Sequence, residues 1–508
     1  MNVVIFAPYT RFTPHLETEL EIIQCHLDQG DDVSLLMCNG ELLTCDINPQ
    51  HTFRNCMYCI GKRAASMPLL SQKINARSFY DLSAADRAAS AAVKTSFASI
   101  DELKAYRIDN FEIGYAVLSS LISWTRDPSP DLKANASRVR DLLVSAFAVY
   151  RSLQNYLEKH RVDRMYVFNG RHAPLRAAVR ACQSRGVEFF THDKGHDIQH
   201  YGLFENTTPH DRSYIEYQIR EHWARAVDDP RREQVAAEFF LDREGGVTRS
   251  WRSFITQQRA GLLPAGWNPG EKNVVIFSSS EDEFAALDDS WKSPLYNSQV
   301  EGIEAILRSL STNGKGIRLY LRLHPNLSGI SNAYMARVFQ LKAEFVTLIS
   351  PDDAVSTYAL LKSADTVLSF GSTVGIEAVF WGKPSILAGQ SFYRNLGGTY
   401  NPQSHEELIE LLKADLKPKA RDAALMYGYY MNSYGVPYRH FMATGITEGQ
   451  FKGKKIEYSR LASIGLGCCD RSWRFERVAN AVLRARSRRK LTGKIYSTPP
   501  PEPLGTDG

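Results

Sequence analysis

No apolar run in this chain of 508 residues reaches the ~18 residues that a membrane-spanning helix needs. The opening stretch Met1–Pro8 is apolar too briefly, and lacks the basic start, to read as a secretory leader. It reads instead as a first β-strand, and the protein is expected in the cytoplasm. Concentrated positive charge is missing as well: 61 Lys and Arg are interspersed with 56 Asp and Glu, for a formal net charge of +5. That argues against nucleic acid as a partner, which calls for a basic stripe. No internal repeat is visible, and the second half holds no Asp-x-Asp pair of the kind that grips a metal-bound pyrophosphate. What remains is an ordinary globular composition, 44% hydrophobic and 23% charged. The length allows two domains and a tail.

Half of the eight cysteines crowd into one early region, Cys38, Cys45, Cys56 and Cys59, spaced C-x6-C-x10-C-x2-C. Thiolates so close in sequence suit a structural zinc site, although the second CxxC pair of the strong zinc patterns is lacking. In a cytoplasmic protein a disulfide set is not expected, so reduced free thiols are the default and zinc the alternative.

The chain announces its chemistry between Asp365 and Gly389. Thr366–Phe370 is a short apolar run and reads as a buried strand. Gly371-Ser372-Thr373 breaks it, a helix is expected from Val374 to Trp381, and Ser385–Ala388 begins another strand. In open α/β sheets ligands bind at turns of this kind. A helix N-terminus offers N–H groups to an anion, Ser372 and Thr373 add hydroxyls, and Gly371 and Gly375 are expected to let a phosphate approach the backbone. Glu377 lies one residue past capping-box register from Thr373, which leaves it to accept hydrogen bonds from sugar hydroxyls.

Some fifty residues earlier, Leu319, Leu321 and Leu323 alternate with Arg318, Tyr320, Arg322 and His324, a strand with one polar face. Pro325 ends it and places His324 at the carboxyl edge. Two arginines on one face suggest a nearby anion, because a buried parallel strand is normally apolar on both faces.

A His-Pro after one strand and a Ser-Thr before a later helix resemble the nucleotide-binding half of GT-B glycosyltransferases. The run Ser372–Tyr400 is most similar to the bacterial capsule-polysaccharide proteins, which include Kdo transferases. More distantly it is similar to sialyltransferases and CDP-glycerol polymerases. The resemblance covers roughly residues 272–412. It implies that His324, Ser372 and Thr373 hold the donor phosphate, with Arg322 assisting, and that these contacts together with the helix dipole replace a divalent ion, so that no cofactor is required for catalysis.

The first half also reads as doubly wound. Val3–Ala7, a helix from Leu16 to Gln29 and Asp32–Met37 form a βαβ start. Long helices are expected over Phe111–Trp124 and Asp131–His160. Two later strands, Met165–Phe168 and Val187–Thr191, lead into Asn169-Gly170-Arg171-His172 and His192-Asp193-Lys194-Gly195-His196, two polar turns on one rim of the sheet. The second matches in place an acidic-x-Gly turn of the capsule-like proteins. Asp193 is therefore read as the catalytic base, His15 and His192 as alternates, and Arg171 and Asn169 as acceptor-side contacts.

The expected architecture is α/β, two Rossmann-like domains facing a cleft, with C-terminal helices and a disordered tail. Glycine- and proline-rich turns near Gly245 and Gly261–Gly270 place an acceptor-side domain over 1–260, a nucleotide-sugar domain over 271–445 and a helical extension over 446–508. Ser278-Ser279-Ser280 offers a second phosphate-side turn. Arg471–Lys490 reads as a basic amphipathic helix, suited to an anionic surface at the inner membrane. The resulting expectation is a glycosyltransferase moving a sugar from a nucleotide-activated donor, CMP-linked sugars among the options, to a surface-polysaccharide or lipid-linked glycan. A nucleotide-sugar epimerase of the same architecture and a non-catalytic glycan-assembly component are the rivals.

Overall fold

The computed structural model describes residues 1–251 and 253–493. The proline-rich tail from Ser497 lies outside them. Six strands come first: β1 Asn2–Ala7, β2 Asp32–Met37, β3 Asn75–Ser78, β4 Arg164–Phe168, β5 Glu188–Lys194 and β6 His200–Glu205. Five follow: β7 Lys272–Phe277, β8 Ile317–Arg322, β9 Val346–Ile349, β10 Thr366–Ser369 and β11 Ser385–Leu387. Three short ones close the series: β12 Val436–Pro437, β13 Phe441–Gly445 and β14 Glu448–Phe451.

The chain forms two compact units. Of the described residues, one holds 1–125, 129–209 and 435–493; the other holds 210–434 together with Arg126–Pro128. The first is built on a seven-stranded sheet in the order β12-β6-β5-β4-β1-β2-β3. β1 to β5 run parallel, while β6 and β12 add antiparallel pairs at one side. The second has five parallel strands in the order β11-β10-β7-β8-β9. Each parallel set changes direction of winding beside its first strand, which is the doubly wound arrangement expected from the sequence.

Burial follows the strand period of two. In β7, Val274 and Ile276 enter one core with Leu319, Leu321 and Leu368, while Val275 and Phe277 enter the core on the other face with Tyr320 and Val367. In β1, Val3, Ile5 and Ala7 pack with Leu16, Leu20 and Ile23 of the helix His15–Asp28. The helix Ile113–Thr125 is buried from Ile113 through Ile122, as its all-round apolar sequence requires. No helix among the described residues is long and apolar enough to cross a membrane.

The division between units differs from the one read off turn composition. The helices Arg212–Arg225 and Arg232–Glu244 belong to the second unit, where both pack on the helix Asp422–Met431. At that crossing a Cβ on Gly428 would sit 2.4 Å from the Ala236 carbonyl oxygen. Asn432 Nδ2 donates to the Val235 carbonyl at 2.9 Å, and Phe240 stacks on Phe380 at 4.2 Å. Close packing, which glycine-rich turns do not report, therefore moves the boundary back to residue 210. The chain leaves the second unit at Tyr434, ahead of the expected 445, and the helices Arg460–Arg471 and Trp473–Thr492 belong to the first unit.

Candidate active site

The second unit gathers its polar residues at the carboxyl ends of β7, β8 and β10, beside the change in winding direction. Ser278 to Ser280 follow β7, His324 follows β8, and Gly371-Ser372-Thr373 follow β10. Ser278 Oγ accepts the His324 backbone N–H at 2.8 Å, tying the first two ends together. His324 Nδ1 accepts the Asn326 N–H at 3.1 Å. In the neutral ring this leaves the proton on Nε2, so His324 offers a donor. Burial, then the charges of Arg243, Arg126 and Arg322 in that order, bring this histidine down to about 4. The ring is neutral at physiological pH, and it sits in a positive field.

Arg243, on the helix Arg232–Glu244, had no local signal in the sequence and lies in a segment read as part of the other domain. Its Nε donates to Glu377 Oε1 at 3.0 Å and its Nη2 donates to Thr373 Oγ1 at 3.0 Å. Thr373 passes its own hydroxyl hydrogen to Glu377 Oε1 at 3.1 Å, and Tyr358 donates to Glu377 Oε2 at 2.6 Å. Glu377 is 1% exposed. The carboxylate expected to accept from sugar hydroxyls is thus enclosed by three donors of the protein. Through these bonds it holds Arg243 and Thr373 in place.

Three further expectations change. Arg322 is buried, and its terminal nitrogens donate to the carbonyls of Ser350 at 2.6 Å and Asp353 at 3.2 Å. It acts on His324 through its charge rather than by reaching a phosphate. Arg318 pairs with Glu271 at 2.9 Å, which explains the polar face of β8 without a ligand. Gly371 has φ +136°, and a Cβ there would lie 2.7 Å from the Gln390 carbonyl; on Gly375 it would meet the Tyr393 hydroxyl at 2.4 Å. These glycines make room for the protein's own packing. Tyr393 uses that room to donate to the Ser372 carbonyl at 2.5 Å, which fixes the turn. Ser372 Oγ accepts the Val374 N–H at 3.3 Å. The helix Val374–Phe380 is only seven residues long, so its dipole is short.

Arg126 is a second cation that the sequence did not point to. Its Nε lies 2.6 Å from Asp282 Oδ2, and its Nη2 donates to Ser280 Oγ at 3.1 Å and to the Asn326 carbonyl at 3.3 Å. The three serines after β7 are therefore fastened by the protein itself at Ser278 and Ser280, whereas the buried Ser279 hydroxyl has no hydrogen-bond partner among the described residues.

In the first unit β5 extends through Lys194, so His192 and Asp193 lie within the strand, opposite Leu203 and Gly202 of β6, rather than in the turn beyond it. Their side chains consequently take opposite faces. His192 is buried, its Nε2 has no hydrogen-bond partner among the described residues, and burial followed by His15 brings it down to about 3. His15, also lowered to about 3 by burial and then by Lys194 and Lys62, lies against Phe168 with ring centroids 3.9 Å apart. Asp193 accepts the Asn169 side-chain amide at 2.6 Å and the Lys194 N–H at 2.8 Å. Burial raises its carboxyl, against the pull of those bonds. Asn169 holds φ +55°, which turns its amide toward Asp193 and brings its Oδ1 to the Arg171 N–H at 3.2 Å. Arg171 Nε donates to Ser119 at 3.0 Å. The structure thus joins Asn169 to Asp193 and stacks His15 on Phe168.

The four cysteines form no ligand set. Cys59 Sγ accepts the Thr10 N–H at 3.1 Å, Cys56 Sγ accepts from Asn48 at 3.3 Å, and all are free thiols. Burial pushes Cys38 up to about 12 and raises Cys45 as well. Groups of three or more potential ligands within reach of one ion occur twice among the described residues, at Glu21, Cys25 and His440 and at His196, Asp197 and His200, and include none of these four.

No curated protein matches the sequence. Among solved structures, the chain is similar to the beta Kdo 2,4 transferase of Thermosulfurimonas dismutans KpsC at 14% identity, over 60% of this chain and 86% of that one, with a TM-score of 0.37. The beta Kdo 2,7 transferase of the same KpsC gives 17% identity over 55% and 80%, with a TM-score of 0.34. The UDP-GlcNAc 2-epimerase of Neisseria meningitidis gives 10% identity over 93% and 100%, with a TM-score of 0.24. The family model described as capsule polysaccharide biosynthesis protein matches residues 292–435, which include His324, Ser372, Thr373 and Glu377. Over those residues the chain is similar to the capsule polysaccharide biosynthesis proteins.

Proposed function

We propose that the chain is a glycosyltransferase that takes a sugar from a nucleotide-activated donor held by the second unit and passes it to a surface-polysaccharide or lipid-linked glycan. The observation that carries this reading is the arrangement around His324. A neutral ring offering Nε2–H stands in the combined field of Arg243, Arg126 and Arg322, at the strand ends where α/β sheets take their ligands. Such a group donates to a phosphate without first losing a proton, and the arginines supply the countercharge. Arg243 and Arg126 are each partly exposed while anchored by a buried acid, which holds them in place for an anion. The match of residues 292–435 to the capsule polysaccharide biosynthesis model supports this choice of substrate class.

The acceptor hydroxyl must lose its proton as the anomeric carbon is attacked. Asp193 suits that task better than His15 or His192. Both histidines are lowered to about 3, which leaves them weak bases. The Asp193 carboxyl is raised, and Asn169 orients it.

Thermal denaturation with CMP, CDP, UDP and GDP tests the donor half. The matching nucleotide at a hundredfold its dissociation constant should add about 2.7 kcal/mol of stability, and the corresponding nucleotide sugar should be consumed only when a glycan acceptor is present. Stabilisation by none of the four, or turnover of donor without acceptor, overturns the proposal.

A further inference from the structure

The helices Arg460–Arg471 and Trp473–Thr492 carry an exposed face that the transfer reaction does not use. Leu461 is 79% exposed, Ile464 63%, Trp473 66%, and Val478 and Val482 62% each. They recur at helical spacing: Leu461 and Ile464 are three apart, and Val478 and Val482 share one face of the second helix with Phe475, while Trp473 is exposed at the start of that helix. The opposite face of the second helix is fastened to the first unit. Asn480 accepts the Phe53 N–H at 2.5 Å, Ser487 donates to the Gly40 carbonyl at 2.6 Å, and Lys490 pairs with Glu41 at 2.9 Å. The outward apolar row is therefore held in place by packing behind it.

Charge on this face is of one sign. Residues 460–493 contain nine Arg or Lys against two acids. One of those acids, Glu476, lies 3.4 Å from Arg54, and the other, Asp470, also pairs with Arg54, at 2.6 Å. Among the described residues no ion pair engages Arg471, Arg474, Arg477, Arg486 or Arg489. Beside the row, an open groove of about 780 Å³ is lined by Tyr80, Arg87, Val482, Arg486, Arg489 and Lys490.

We propose that this face docks the protein on an anionic membrane surface, with the apolar row entering the headgroup layer and the Arg87–Arg486–Arg489 groove receiving a lipid phosphate. The interleaving of charge and apolar residues, Arg474 beside Phe475 and Arg477 beside Val478, selects the occupant. A second copy of this chain would set arginine against arginine, and such like-charge juxtaposition opposes pairing. The interfacial layer of a membrane instead accepts an apolar side chain and an arginine within one helical turn, the guanidinium reaching outward to phosphate. The helices lie on the surface rather than cross it, since none among the described residues is long and apolar enough to span a bilayer.

Flotation of the full chain with vesicles tests this. It should rise with phosphatidylglycerol-containing vesicles, stay behind with pure phosphatidylcholine, and detach as salt is raised. Arg486→Glu with Arg489→Glu should weaken binding at least tenfold, each cation near an anionic surface being worth on the order of fivefold. Val478→Ser with Val482→Ser should weaken it about tenfold. These side chains are exposed, so both double variants should keep the wild-type circular dichroism and, because they lie in the first unit, the wild-type nucleotide affinity. Failure of membrane docking is thereby separated from failure of the donor-site reading. Equal binding to neutral vesicles, or variants that float like wild type, overturns the proposal. A self-association of the wild type that Val478→Ser with Val482→Ser abolishes also overturns it, by assigning the face to a second copy of this chain.

Discussion

Arg243 holds Glu377 at 3.0 Å across a sequence separation of 134 residues, and through it fixes Thr373 at the end of β10. The pair is asymmetric: the carboxylate is 1% exposed at its side chain, and the guanidinium 40%. Removing the arginine therefore leaves a buried anion with two hydroxyl donors and no countercharge. Arg243→Leu should destabilise the second unit by about 3 kcal/mol, at the low end of the range for breaking a buried pair because Arg243 keeps contact with solvent. Hydrogen exchange of the amides in β10 and the helix Val374–Phe380 reads this locally. Arg243→Leu combined with Glu377→Leu should recover part of the loss. A double variant that loses the sum of both single changes would show that the two residues do not act together.

Nucleotide affinity gives the next expectation. Charge-assisted hydrogen bonds contribute about 1.5–3 kcal/mol, so His324→Ala should weaken the best-binding nucleotide by roughly 10- to 150-fold. Ser372→Ala with Thr373→Val should weaken it less, because Thr373 already serves Arg243 and Glu377. Calorimetric titration distinguishes the two. Wild-type affinity in the His324 variant removes the phosphate assignment.

The sequence exposed what repeats along the chain and hid what crosses it. Period-two alternation in Ile317–Leu323 and apolar runs such as Thr366–Phe370 placed both sheets and the turns at their carboxyl ends, because each signal is contained within a few residues. His324, Ser372 and Thr373 were legible for the same reason. Arg243 and Arg126 were not. Each reaches the strand ends from a distant segment, and an arginine beside an acid in sequence looks like any solvated pair. Glu377 was placed correctly, but its enclosure was not legible, since that depends on Arg243 and Tyr358, neither of which its own helix announces. The cysteine spacing misled in the opposite direction. The thiols come near one another, but among the described residues they do not converge within reach of one ion, and Cys59 turns to Thr10 and Cys56 to Asn48.

Transfer itself should depend on Asp193 and, differently, on Asn169. Asp193→Asn keeps the shape and removes the base, so the rate should fall on the order of 10²-fold or more while nucleotide affinity stays unchanged. Asn169→Ala leaves the base but deletes a bond that lowers its pKa. The carboxyl should then titrate higher, and the acidic limb of the pH–rate profile should move to higher pH. An Asn169 variant with reduced rate and an unmoved profile would mark Asn169 as a purely structural residue.

Acid should unfold the first unit ahead of the second. Burial lowers His15 and His192 to about 3 and His51 and His172 to about 4, all in the first unit, whereas the second unit contributes His324 at about 4 and His222, which burial also lowers. A histidine whose folded pKa is depressed stays neutral in the native state while the unfolded chain takes up a proton below about 6.5. Protons thus favour unfolding, and stability is lost as pH falls from about 6.5 toward 4. For a ring as enclosed as His192, a shift of this size corresponds to a few kcal/mol as an order of magnitude. Hydrogen exchange between pH 6.5 and 4, corrected for intrinsic rates, should show β1, β4 and β5 losing protection before β7 and β10. His192→Asn, which cannot take up the proton, should flatten the slope for β4 and β5. Equal loss in both units would mean that other groups carry the acid sensitivity.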